Sequence, residues 1–157
     1  MLLQVVIVAH IAAGITAVVA GAVAMLSPKR PVRHPTAGRI YLFAVIGLFA
    51  TACLIVVARP HTAYLLLLGG VALALAGTGF MARRVRWRHW LPHHIIAMGS
   101  SYVLALTAFY VDNGPRLPVW RLLSPLSFWF LPAAVGIPLI LWALHRHTGR
   151  RSARRLQ

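Results

Sequence analysis

The sequence predicts an all-α fold: a polytopic membrane helix bundle of five transmembrane helices, amino terminus outside and carboxyl terminus in the cytoplasm. Three observations carry that expectation. The 157-residue chain is 60% hydrophobic, against roughly 45–50% for soluble domains. Five apolar stretches, residues 2–26, 40–58, 63–82, 91–111 and 126–144, have about the 20-residue length that crosses ~30 Å of hydrocarbon. The basic residues gather in alternate loops between them. Lipid offers backbone groups no hydrogen-bond partner, so each span must be helical. Asp112 is the only acidic side chain, too little for the mixed-charge surface of a soluble domain. The expected organisation is a five-helix transmembrane domain, residues 1–145, and a basic cytoplasmic tail, residues 146–157.

The first span begins Met1-Leu2-Leu3-Gln4, with no basic segment ahead of it, and reads as a retained helix rather than a signal peptide. His10, Gly14, Ala17, Gly21 and Ala24 follow a 4-3-4-3 spacing and share one face, as in close-packed membrane helices. A basic loop, residues 27–37, leads to the second span. That span opens with Gly38, Arg39 and Tyr41 and holds Cys53, whose solitary thiol can form no intrachain disulfide. Arg59-Pro60-His61 is a tight turn, which makes spans two and three antiparallel neighbours. Span three carries a second small-residue stripe, Gly70, Ala74, Gly77 and Met81. Residues 83–90 form a basic, aromatic turn. Pro92 suits the first turn of span four, where its missing N–H costs little. Residues 112–124 form the longest loop, turned at Asn113-Gly114-Pro115. Pro132 and Pro138 each remove a hydrogen bond from span five and are expected to kink it. The tail beyond Leu144 is expected to be disordered or to lie on lipid.

Charge orients the bundle. Thirteen of the sixteen Lys and Arg residues lie in the loops after spans one and three or in the tail; Arg59, Arg116 and Arg121 are the exceptions. The positive-inside rule therefore places the tail in the cytoplasm of a multi-pass membrane protein. The net charge of +15 suggests nucleic acid only until its placement is considered. Its partner is a bilayer with anionic headgroups, worth about 1 kcal/mol per basic residue at the surface. Tyr64, Tyr110 and Trp120 mark the outer boundary, and Tyr41, Trp87, Trp90 and Trp142 the inner one.

The histidines are the candidates for chemistry. His10 lies about eight residues inside the outer end, ~12 Å deep. An ionisable residue at such depth faces the bundle interior and marks function by default. It reads either as a neutral ring bonded to a neighbouring helix or as a ligand to heme iron or partner of a quinone-like molecule. In the second reading Gly14, one turn away, leaves space for a ring edge. His94 opens span four with Met98, Ser101 and Ala105 on its face, and His93 points about 100° away. His34 precedes span two, and Arg39 is placed to hold a headgroup phosphate or a cofactor's acidic group. A zinc site from His34, His89, His93 and His94 lacks close ligand spacing. His10 and His94 remain the candidate metal ligands, with heme b as the candidate cofactor. Other chemistries are absent. There is no paired carboxylate for glycoside hydrolysis, no P-loop, no Gly-x-Ser-x-Gly and no Cys-x-x-Cys. No carboxylate lies within a span, which weighs against a proton- or sodium-coupled transporter.

His10-x-x-x-Gly14 in the first span, His34-x-x-x-Gly38-Arg39-Ile40-Tyr41 entering the second, and His94-x-x-x-Met98-x-x-Ser101-Tyr102-x-Leu104 in the fourth resemble the bacterial membrane-protein family Domain of Unknown Function 2306. The likeness runs from His10 to about Tyr110. It implies a multi-pass bundle of the bacterial inner membrane with His10, Gly14, His34, Arg39, His94 and Met98 as candidate binding positions, and no reaction. Where the family carries basic residues after the third-motif histidine, this chain has Ile95, Ile96 and Ala97. Three expectations follow: a protein binding heme or a quinone-like ligand through intramembrane histidines, a non-enzymatic accessory or assembly bundle acting as a homo-oligomer or with a membrane-protein partner, or a small metal or solute transporter.

Overall fold

The computed structural model describes residues 1–27, 32–118 and 120–153. Lys29 and Arg30 of the first basic loop, and Arg154 and Arg155 of the tail, lie outside the described residues. The described chain is helical throughout. The long helices are α1 (Leu2–Leu26), α2 (Arg33–Ala58), α3 (Ala63–Val85), α4 (Trp90–Asn113) and α5 (Ser127–Ala153). Single 3₁₀ turns at Pro60–Thr62, Gly114–Arg116 and Trp120–Leu122 occupy the connections. All five long helices are long and apolar enough to cross a membrane.

Two compact units divide the chain, one of residues 1–73 and one beginning at Ala74, with α3 running through the boundary. In the first unit α1 and α2 are antiparallel, since His10 meets Thr51, Gly14 meets Leu48 and Ala24 meets His34. Ala17, Ala20, Gly21 and Ala24 are the buried positions of α1, and Ala37, Tyr41, Ala44 and Val45 those of α2. The small-residue stripe expected on α1 is therefore its packed face. The start of α3 packs on α2 through Phe49, whose ring lies 3.3 Å from where a Cβ on Gly69 would sit.

In the second unit α4 meets α3 at Gly79 and α5 along its length. A Cβ on Gly99 would fall 2.6 Å from Ile140 Cγ1, one on Gly136 would collide with Val103, and one on Gly114 would press on the Phe128 ring. Glycine at these three positions lets backbone approach a bulky partner. Among the described residues nine of the twelve buried apolar ones are alanines, while Leu, Ile, Val and Phe side chains line the exterior. A soluble core shows the opposite distribution. Small residues inside and large ones outside suit a solvent as apolar as leucine, where close backbone contact holds helices together.

Three expectations need correction. The packed face of α3 is Ala72, Ala76, Gly79 and Ala82; of the expected stripe Gly70 meets Phe49, but Ala74, Gly77 and Met81 do not belong to that face. Ala74 and Met81 are exposed, and a Cβ on Gly77 would touch nothing within 4 Å. Small residues occupy both faces of α3, so their spacing alone does not choose between them. Tyr41 was expected at the inner boundary but is 1% exposed, packed into the first unit's core. The tail is not irregular at its start: α5 continues to Ala153. Arginine is a good helix former, and no proline follows Leu144 to stop the helix. There the Arg146 guanidinium sits 5.0 Å above the Trp142 ring. Pro132 and Pro138 both lie inside α5.

Candidate functional site

His10 reaches from α1 to α2, where its Nδ1 is 2.9 Å from Thr51 Oγ1. The Thr51 hydroxyl has one hydrogen, and two carbonyls of its own helix that can only accept lie within reach of it, Gly47 O at 2.7 Å and Leu48 O at 3.0 Å. With its hydrogen turned to either carbonyl, Thr51 accepts from the imidazole, and the Nδ1–H of His10 is then the donor. The space at Gly14 is taken up by Leu48, whose Cδ1 lies 3.5 Å from the position of a Cβ, an ordinary van der Waals contact.

His34 stands in the first turn of α2 and donates its Nδ1–H to Ala24 O at 2.8 Å. That carbonyl lies in the last turn of α1, where a helix runs short of its own amide partners. The negative end of the α1 dipole favours a donor at this point. Gly38 has open space around it, and Arg39 is exposed. His10 and His34 thus fasten opposite ends of the α1–α2 pair. Their contacts on α1, residues 10 and 24, are separated by ~21 Å of helix.

His94, in the second turn of α4, donates its Nδ1–H to Gly79 O of α3 at 2.8 Å. Met98, one turn further on, covers the same glycine. Its Cγ, Sδ and backbone N would lie 2.8, 3.0 and 3.2 Å from a Cβ at position 79. The absent side chain of Gly79 is what allows α4 this close and brings the carbonyl within reach of the imidazole. His93, exposed, turns back to His89 O at 2.8 Å. His61 is exposed in the 3₁₀ turn after α2.

The partners of His34 and His94 are carbonyls and must accept, so these two rings hold a proton on Nδ1, as His10 does when Thr51 bonds to its own helix. A neutral ring then carries its lone pair on Nε2, the tautomer of histidines that bind metal through Nε2 while Nδ1 is fixed by a carbonyl. Among the described residues no group of three or more His, Cys, Asp or Glu side chains is placed to hold a metal ion. Two open apolar grooves are present. One, about 240 Å³, lies between Ser100, Val103 and Leu104 of α4 and Ala133, Ile137 and Ile140 of α5. The other, about 480 Å³, lies at the start of α5. None of the six candidate residues lines either groove.

Sequence reasoning missed Thr51 and Gly79. Thr51 had a signal: it is the only Ser or Thr between residues 40 and 58. It also lies seven residues from the carboxyl end of α2, matching His10 eight residues from the amino end of α1. Gly79 had none, since Gly77 next to it looked equally suitable. No protein family, curated protein or solved structure matches this chain.

Proposed function

We propose that this chain is a multi-pass protein of the bacterial cytoplasmic membrane, amino terminus outside, whose intramembrane histidines fasten helix pairs to one another. One observation carries the reading: His10, His34 and His94 each commit Nδ1 to a neighbouring helix, at 2.8–2.9 Å. Such bonds hold helices where hydrophobic burial cannot, because lipid competes equally for apolar surface. The protein is then a non-enzymatic accessory or assembly bundle, with a second copy or another membrane protein as partner and anionic headgroups around its basic loops. The alternating basic groups support the orientation, and the alanine-rich interior supports the membrane as its solvent.

A second reading is favoured by the tautomer. A ring anchored through Nδ1–H presents Nε2 as a ligand to heme b iron, or as acceptor for the hydroxyl of a reduced quinone. His10 is the candidate in the outer half and His94, with Met98, in the inner half. Absorption of the purified protein decides between the readings. Fastening predicts a colourless protein in which His10→Ala and His94→Ala lower stability. Heme binding predicts a Soret band that one of these substitutions removes. Reporter fusions test the orientation: 83–90 is expected to read cytoplasmic and 112–118 external.

A further inference from the structure

We propose that the turn between α3 and α4 is a clamp for the headgroup of an anionic phospholipid. The proposal rests on the membrane placement given above and adds a specific site to it. Arg83, Arg84, Arg86 and Arg88 fall within six residues, and Arg84, Arg86 and Arg88 are exposed. The chain has no acidic side chain near them. Its only acidic side chain, Asp112, lies at the far end of α4, about 33 Å of helix away. That is several times the ~8 Å screening length of physiological salt. The counter-charge must come from another molecule.

The turn that presents these arginines is held in one conformation. Arg86 and His89 are the described non-glycine residues with positive φ, at 55° and 57°. Trp90 N–H donates to Trp87 O at 2.9 Å, and His93 Nδ1–H donates to His89 O at 2.8 Å. The Trp87 indole stands edge-on to the His93 ring at 6.5 Å. A fixed turn loses little freedom on capturing an anion, and guanidinium forks match phosphate oxygens in pairs. The tryptophans identify the source of the phosphate. Trp87 is 40% exposed and Trp90 half-buried, between two apolar helices. Amphipathic rings of this kind settle at headgroup level, where lipid phosphates lie and soluble anions are dilute.

The test uses the full chain in a neutral detergent, titrated with phosphatidylglycerol, phosphatidylcholine or inorganic phosphate. Bound lipid is read by native mass spectrometry. Each basic residue at an anionic surface contributes roughly a fivefold gain in binding. The triple variant R84Q/R86Q/R88Q is expected to bind phosphatidylglycerol about a hundredfold more weakly, while R116Q binds as wild type. R84K/R86K/R88K keeps the charge and is expected to retain most of the binding. Equal binding of phosphatidylglycerol by wild type and the glutamine variant would overturn the clamp. So would equal retention of phosphatidylcholine, or displacement of the lipid by inorganic phosphate or a short RNA at similar concentration. If the glutamine variant does not fold, the wild type decides: binding that weakens at high salt supports the clamp, and salt-independent binding refutes it. Reporter fusions read orientation and lipid titration reads the clamp, so the two readings fail separately.

Discussion

Gly77 and Gly79 sit two residues apart on α3, so the same substitution at both isolates packing from everything else. Glycine to alanine in a helix gains up to about 1 kcal/mol from backbone propensity, and that gain is common to both sites. At Gly77 the new methyl group meets nothing within 4 Å, so the gain stands alone. At Gly79 it would lie 2.8 Å from Met98 Cγ and 3.2 Å from Met98 backbone N. Carbon atoms pack best at about 3.5–4.0 Å, so the contact is short by roughly 1 Å. The Met98 side chain can swing aside, but its backbone nitrogen moves only if α4 moves. Overpacking of this size costs about 1–3 kcal/mol. Any retreat of α4 also stretches the His94–Gly79 hydrogen bond, now 2.8 Å, with about 0.6 kcal/mol at stake. The net expectation is a loss of about 1–2 kcal/mol for Gly79→Ala and a gain of up to about 1 kcal/mol for Gly77→Ala. Reversible unfolding in mixed micelles, followed by circular dichroism, measures both. Equal destabilisation by the two substitutions would mean that the opposite face of α3 is packed, and the reasoning would fail.

Other expectations follow from the same contacts. His10→Ala and Thr51→Ala should each cost about 0.6–2 kcal/mol, and a double-mutant cycle should return a coupling near 0.6 kcal/mol; additive losses would show that the two side chains do not bond. Gly136→Leu should prevent α4 and α5 from packing, because even a Cβ there meets Val103, whereas Gly38→Leu, in open space, should leave the unfolding midpoint nearly unchanged. Arg86→Gly and His89→Gly should each relieve about 1 kcal/mol of left-handed strain, partly offset by glycine's greater freedom when unfolded. A lower unfolding midpoint for both glycine variants would remove the argument for strain in that turn.

The helices were legible because each is an apolar run of the length that would cross a membrane, and apolar length can be read directly from sequence. The start and end of α1 agree with the apolar run itself. Other boundaries moved outward into polar sequence, as at Arg33 and Ala153, because arginine and histidine continue a helix as readily as they cap a span. Which face packs was legible on α1, where small residues occupy one stripe and large ones the rest. On α3 it was not, because Gly77 and Gly79 present equivalent small surfaces in opposite directions. Tyr41 fell to the same ambiguity: an aromatic residue two positions after a charge suits an interface belt, and only packing reveals that its ring is enclosed.

The histidines show where sequence stops and geometry begins. An imidazole in an apolar span must find a partner, and the sequence leaves open whether that partner is a ligand or the protein. The structure gives the Nδ1 partner in each case, and the hydroxyl of Thr51 shows how much follows. With its hydrogen directed to Gly47 O or Leu48 O, it would set the direction of the His10 bond and hence the ring's tautomer. Thr51→Val tests that chain of inference directly. Valine keeps the shape but cannot accept, so the Nδ1–H of His10 loses its acceptor. The ring is then no longer held in that tautomer. Nitrogen-15 chemical shifts of the His10 side chain should report a protonated Nδ1 in the wild type and a mixture of tautomers in Thr51→Val. An unchanged tautomer would mean that something other than Thr51 orients the ring, and both the fastening role and the Nε2 ligand reading would lose their common foundation at this site.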